Sequence, residues 1–210
     1  MDLFSSEKPI LNLPQADITY IPNFLNSNEA DIAFKNLRAC ISWQQDNITV
    51  FGKTYKQPRL TALYSKSKLS YTYSNITMQP KPFTPDLILL NNKIEQISDT
   101  TFNSVLLNLY RDGQDSNGWH ADNEKELGEK PVIASLSLGA QRIFHFKHRT
   151  LKEEKYKLTL EHGSLLIMAG DMQKHWLHQI PKTRKRIGER INLTFRHIIK
   201  QKNRGPSTSV

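Results

Sequence analysis

Apolar positions in the first half of the chain recur with a helical period, and those in the second half alternate. Ala30, Phe34, Leu37 and Ile41 recur at spacings of three and four, which predicts a helix from about 28 to 40, capped by Ser27, with one buried stripe. Thr84-Pro85 reads as an N-cap followed by proline at the first helical position, and Leu87, Leu90, Ile94 and Ile97 give this second helix its own stripe. From Ser104 the period drops to two. Runs at 104–110, 132–138, 142–148, 156–161, 164–169 and 190–197 read as strands, punctuated by Gly113, Gly118, Gly128, Gly139, Gly163, Gly170 and Gly188. Many short strands joined by glycine-bearing turns predict a double-sheet jelly roll. The fold class expected is α+β, with N-terminal helices leading into a double-stranded β-helix core. Residues 1–17 and 199–210 are expected to be flexible ends around one domain spanning 18–198, divided into 18–103 and a core of 104–198.

Composition narrows the class. Hydrophobic residues at 38% and charged residues at 23% suit one globular domain of 210 residues. The 29 Lys and Arg against 20 Asp and Glu leave a net charge of +9, which favours polyanionic partners. Cys40 is the only cysteine, so neither an intrachain disulfide nor a thiolate zinc cluster can form. The start Met1-Asp2-Leu3-Phe4 lacks a secretory signal, and the longest apolar stretches, near 86–90 and 165–169, are too short to span a bilayer. A soluble intracellular protein with no membrane partner is expected, cytoplasmic in a bacterium and nuclear in a eukaryote.

Candidate chemistry begins at His120-Ala121-Asp122. On an extended segment, residues one apart point the same way, so an imidazole and a carboxylate are presented together. With a second imidazole from downstream, where His175 and His178 are both chemically suitable, they make a 2-His-1-carboxylate triad for ferrous iron with open positions for oxygen chemistry. In 190–196, Ile191, Leu193 and Phe195 occupy one face, and Arg190, Asn192, Thr194 and Arg196 the other. Two inward arginines are costly unless an anion pairs with them, and a dicarboxylate answers both through charge-assisted hydrogen bonds. Asn108 and Tyr110 share a strand face opposite Val105, Leu107 and Leu109, adding an amide and a phenol that donate to carboxylate oxygens.

These segments together resemble the AlkB family of iron(II)- and 2-oxoglutarate-dependent nucleic-acid dealkylases, in particular its animal DNA-repair members and their bacterial counterparts. The resemblance rests on Asn108-Leu109-Tyr110-Arg111-Asp112-Gly113, Gly118-Trp119-His120-Ala121-Asp122-Asn123-Glu124, the stretch 131–139, His175-Trp176-Leu177-His178 and Arg190-Ile191-Asn192-Leu193-Thr194-Phe195-Arg196, and covers roughly 50–198. It implies that His178, twelve residues before Arg190, completes the iron site with His120 and Asp122, leaving His175 a structural histidine. It further implies that Asn108 and Arg196 hold the 2-oxoglutarate carboxylate beside the metal, that Arg190 and Tyr110 hold the distal one, and that Asn192 and Thr194 complete the pocket. The implied reaction consumes 2-oxoglutarate and O2, and releases succinate, CO2 and the N-methyl carbon as formaldehyde.

On the substrate side the resemblance implies a base-recognition hairpin lid. Phe51, with Gly52 and Lys53, matches a finger that fills the stack vacated by a flipped base. Tyr71 and Tyr73 match an aromatic pair lining the base pocket, suited to the cationic bases 1-methyladenine and 3-methylcytosine. Arg59 stands between finger and pair. Asn123 replaces an acidic residue that contacts the base, with Glu124 beside it. The basic run Lys182, Arg184, Lys185 and Arg186 lies where similar proteins grip DNA phosphates, whereas the 147–157 connection is shorter than the grip loop of duplex-preferring relatives. The implied partner is DNA, acted on by a monomer. The same chemistry on RNA, or on a protein or small molecule, is the alternative.

Overall fold

The computed structural model describes residues 10–50, 52–66, 71–73 and 76–199, with backbone alone for 10–12, 50, 71–73 and 76–78. Part of the segment expected to fray is strand. β1 (Ile10–Leu13) and β2 (Ala16–Ile21) pair antiparallel about a turn with Gln15 at φ 57°. The alternation that buries Ile18 and Tyr20 is only a few residues long and follows Pro14, so it carries little signal by itself.

α1 (Ser27–Cys40) is capped by Asn26, not Ser27. Asn26 Oδ1 accepts from the Glu29 amide at 2.9 Å, and Glu29 Oε2 accepts from the Asn26 amide at 2.9 Å. That reciprocal box needs a carboxylate three residues on, whereas Ser27 has Ala30 there. Thr84 caps α2 (Pro85–Ser98) as expected, its hydroxyl accepting from the Leu87 amide. Leu87, Leu90 and Ile94 are buried together with Asn91, and Ile97 is left 38% exposed at the last turn.

The remaining strands are β3 (Asn47–Val50), β4 (Lys53–Lys56), β5 (Leu60–Ser65), β6 (Tyr71–Tyr73), β7 (Ile76–Met78), β8 (Lys81–Pro82), β9 (Ser104–Tyr110), β10 (Asn117–His120), β11 (Ile133–Gly139), β12 (Arg142–His148), β13 (Lys155–Leu160), β14 (Ser164–Ala169), β15 (Trp176–Ile180) and β16 (Arg190–Arg196), with a short α3 (Met172–His175) before β15. Every strand expected after Ser104 is present, within a residue or two of its bounds. After Ser104, β10 and β15 are additional, and before it so are β5 and β8. β5 is covered on both sides and so shows no alternation.

Among the described residues the strands form a major sheet, β1-β2-β14-β11-β16-β9-β5-β8, and a minor sheet, β10-β15-β12-β13. They face one another as the two walls of the expected jelly roll. One face of the major sheet packs Val105, Leu107 and Leu109 of β9, Ala134, Leu136 and Leu138 of β11, and Ile191, Leu193 and Phe195 of β16 against α1 and α2. Between the sheets lies a second core that includes Leu106, Ile133, Phe144, Phe146, Met168 and Trp176. The polar residues of β9, β11 and β16 therefore face the interior between the sheets. Two hairpins, β3–β4 and β6–β7, form separate two-stranded sheets. No helix among the described residues is long and apolar enough to cross a membrane.

Candidate active site

His120 ends β10 and stands opposite His178 in the β10–β15 register. Their rings lie 4.3 Å apart, near edge-on at 69°. With Asp122, two residues on, they offer ligand atoms that all lie within 4.8 Å of one another. His175 is elsewhere, stacked at 5.8 Å on His148. The residue that alternation could not choose is thus chosen by pairing, because β15 points Trp176, His178 and Ile180 inward.

The donors are prepared for a cation. Nδ1 of His120 lies 2.7 Å from the Gly118 carbonyl, which can only accept, so the proton sits on Nδ1 and the Nε2 lone pair faces the cavity, 3.1 Å from the Asn117 amide nitrogen. Burial, then the neighbouring His120, pushes the His178 imidazolium down to about 3, so the ring is neutral at physiological pH. Burial alone would raise Asp122, but the Arg196 guanidinium, followed by the two imidazoles, holds its carboxyl below the ordinary range. Arg196 Nη2 donates to Asp122 Oδ1 at 2.9 Å, both side chains being almost fully buried. From behind, Gln173 of α3 accepts the Asp122 amide at 2.9 Å.

The triad opens onto a cavity whose lining includes Asn108, Tyr110, Arg190, Asn192, Thr194 and Arg196. All six residues expected to hold 2-oxoglutarate therefore share one space with the expected metal ligands. Arg190 is 1% exposed. Its Nη2 donates to Ser137 Oγ at 2.9 Å, and the Tyr110 ring lies 5.3 Å from the guanidinium carbon. Its Nε and Nη1 find no hydrogen-bond partner of good geometry among the described residues. Burial pushes this guanidinium down to about 10, still charged at neutral pH. A buried cation with spare donors fits a carboxylate, and an N,N,O donor set beside it fits ferrous iron; both groups suit the residues present. Asn192 Nδ2 donates to Ser135 Oγ at 2.8 Å, and Thr194 Oγ1 donates to Asn192 Oδ1 at 3.1 Å, locking the middle of the strand.

Of the residues expected on the substrate side, none of those with described side chains lines that cavity. Arg59 is 4% exposed and lies behind the pocket, its Nε donating to Asn108 Oδ1 at 2.7 Å and its Nη1 to the Ser116 carbonyl. Gly52, at φ 74°, turns the β3–β4 hairpin beside the exposed Lys53. Phe51 lies outside the described residues. Tyr71 and Tyr73 are the first and last residues of β6, their side chains outside the description. Asn123 is exposed and Glu124 half-buried in the loop after Asp122. Lys182, Arg184, Lys185 and Arg186 are exposed on the connection between β15 and β16.

Sequence reasoning missed Ser135, Ser137, Asn117, Gln173 and Arg142. The serines carried a signal: they alternate with Ala134, Leu136 and Leu138 and pair with Thr194 and Asn192. Arg142 did not, since only the fold brings its guanidinium to the carbonyls of Asp112, Asp115 and Pro181.

A jelly roll holding two imidazoles and a carboxylate beside buried arginines defines a class, the mononuclear non-haem iron oxygenases that consume a 2-oxo acid. Residues 17–196 match the 2OG-Fe(II) oxygenase superfamily. The chain is 45% identical over 186 residues to alpha-ketoglutarate-dependent dioxygenase alkB homolog 3 of Bos taurus, covering 84% of this chain and 64% of that protein. It is 38% identical over 184 residues to DNA oxidative demethylase ALKBH2 of Mus musculus, covering 83% and 77%. The solved structure of OsALKBH1 superposes with a TM-score of 0.65 at 18% identity, covering 90% of this chain and all of that one, a likeness of fold. The chain belongs to the AlkB family of 2OG-Fe(II) oxygenases, whose chemistry uses Fe(II), 2-oxoglutarate and O2. It spans about two thirds of the length of the alkB homolog 3 proteins it matches.

Proposed function

We propose that this chain oxidatively demethylates N-methylated bases such as 1-methyladenine and 3-methylcytosine in DNA, a direct-reversal repair. The observation that carries the reading is the single cavity shared by His120, Asp122 and His178 with two buried arginines. When bound, iron with 2-oxoglutarate and O2 supplies the oxidation: one oxygen atom converts 2-oxoglutarate to succinate and CO2, the other converts the N-methyl group to formaldehyde, and the ring nitrogen of the cationic base regains its lone pair as a proton is released. His120, Asp122 and His178 would hold the metal. Arg196 keeps Asp122 ionised and, with Asn108, is placed for the near carboxylate. Arg190, seated by Ser137 against Tyr110, takes the distal carboxylate, while Asn192 and Thr194 pack between. Among these polar groups the apolar walls Leu106, Phe144 and Met168 limit water.

Substrate choice falls to the lid. Phe51, Gly52 and Lys53 fill the gap left by a flipped base, Tyr71 and Tyr73 stack on the cationic ring, and Asn123 and Glu124 meet its edge. Arg59 acts through Asn108. Lys182, Arg184, Lys185 and Arg186 contact phosphates. A relative named DNA oxidative demethylase supports DNA as the partner. The protein works as a monomer inside the cell. The deciding assay supplies purified protein with Fe(II) and 2-oxoglutarate, and scores formaldehyde and succinate on methylated single-stranded DNA, duplex DNA and RNA. Turnover on DNA that vanishes in His120→Ala is the expected result. A strong preference for RNA overturns the DNA assignment, and no turnover on any of the three overturns the activity.

A further inference from the structure

Behind the iron site, the outer face of the minor sheet has a character that catalysis does not explain. β12 turns Phe144, Phe146 and His148 inward and leaves Ile143, His145 and Lys147 facing out, with Ile143 46% exposed. The register sets the exposed Lys157 opposite His145 and Lys155 opposite Lys147. Beside them Trp119 is 40% exposed, although its neighbour His120 turns inward. Lys147 Nζ lies 4.3 Å from the centre of the indole, and the His145 ring is 6.4 Å away. From His145 a groove runs along Ile143 and Thr159 to Lys182 and Lys185, and none of its lining residues is acidic. From Ile143 to Lys147 the strand covers roughly 13 Å.

An exposed indole beside a lysine, continuous with an apolar-floored groove rimmed by lysines, is the chemistry of single-stranded nucleic acid binding. Bases stack on the aromatic face and phosphates follow the cations. A duplex hides its bases from such a platform. We propose that this face, from Lys182 and Lys185 through His145 to Trp119 and Lys147, is a track for the unpaired strand flanking the base held in the active site. The inference rests on the proposed nucleic-acid substrate and places part of the binding energy outside the base pocket, on the far side of the β10–β15 wall.

The test measures fluorescence anisotropy of the full chain with an unmodified oligothymidylate of about twelve nucleotides, alongside poly-glutamate of matched charge. Lys147→Ala/Lys157→Ala should weaken the oligothymidylate about five- to tenfold and reduce the slope of log affinity against log salt by about 1.4, two single-strand phosphates' worth. Trp119→Ala should weaken it about tenfold, and Trp119→Phe should recover most of that loss. Melting temperatures of all three are read beside that of the parent. Affinity unchanged in both the lysine pair and Trp119→Ala overturns the track. So does poly-glutamate binding as tightly, with the same dependence on Trp119, since the face then serves acidic polymers at large. Because the probe carries no lesion, demethylation can fail while the track stands. Conversely, turnover on a methylated trinucleotide can persist while the track falls.

Discussion

β16 and the β3–β4 hairpin are both antiparallel strand elements, yet β16 is buried at all seven residues while β4 is exposed at all four. On β16 each inward polar side chain is committed to another: Arg196 to Asp122, Thr194 to Asn192, Asn192 to Ser135 and Arg190 to Ser137. Among its described residues the hairpin has its own ladder and a side-chain contact between Thr49 and Thr54. Buried polar groups without partners are expensive, so the first region has little freedom to vary. A lone two-stranded hairpin is marginal, so the second can change its sequence or its shape with little effect on the fold. On the proposed function, the reaction belongs to the rigid wall and substrate choice to the loose one.

The largest expected effect is at Arg196. Arg196→Met leaves the Asp122 carboxylate buried without its cation, and should cost about 3–5 kcal/mol in urea denaturation of the metal-free protein. Lys53→Ala, on the hairpin, should stay within about 0.5 kcal/mol of the parent. Equal losses from the two would erase the contrast. Next in size is Arg190→Met. Removal of a buried cation with spare donors should leave stability near the parent's, yet raise the KM for 2-oxoglutarate by at least about thirtyfold with a smaller change in kcat. A KM that does not move would detach Arg190 from the cosubstrate.

A smaller effect is expected at Gly52, where φ is 74° and a Cβ would meet nothing within 4 Å. Gly52→Ala should cost about 1–2 kcal/mol of hairpin conformation only. Hydrogen exchange of 47–56 should accelerate while the global melting temperature holds. Global destabilisation would show the hairpin to be part of the core. The gentlest test is acid. Burial pushes Asp115 up, but the hydrogen bonds and charge of Arg111, with Arg142 near, outweigh it and hold the carboxyl below its ordinary range. A depressed folded pKa contributes stability above the unfolded value, near pH 4, and that contribution is lost as pH falls through the folded one. Asp115→Asn should therefore flatten the acid limb of the stability curve, and an unchanged limb would assign it to other carboxylates.

Much of the rigid wall was legible because its pattern is local. Seven residues of strict alternation place Arg190, Asn192, Thr194 and Arg196 together whatever the rest of the chain does, and all four line the cavity. β10 and β15 were harder. Gly118 interrupts one, and Trp176-Leu177-His178 offers no apolar–polar alternation in the other, so the strands that carry the two histidines showed no period. Asn26 was overlooked as a cap because Ser27 is an equally good capping residue type, and only the partner at the third following position separates them.

Taken alone, the chain determined the two helices, most of the strands and the set of polar side chains that share a face, because helix and strand periods are consequences of backbone geometry within a few residues. It also presented His120 with Asp122. The family resemblance already named His178 over His175, and the tertiary structure sets it beside them; only that structure decided that Arg59 reaches Asn108 across 49 positions, and that Arg196 closes on Asp122 across 74. Those choices depend on which strands become neighbours and on which buried charges can find a counter-charge, and both are settled by the packing of the whole domain.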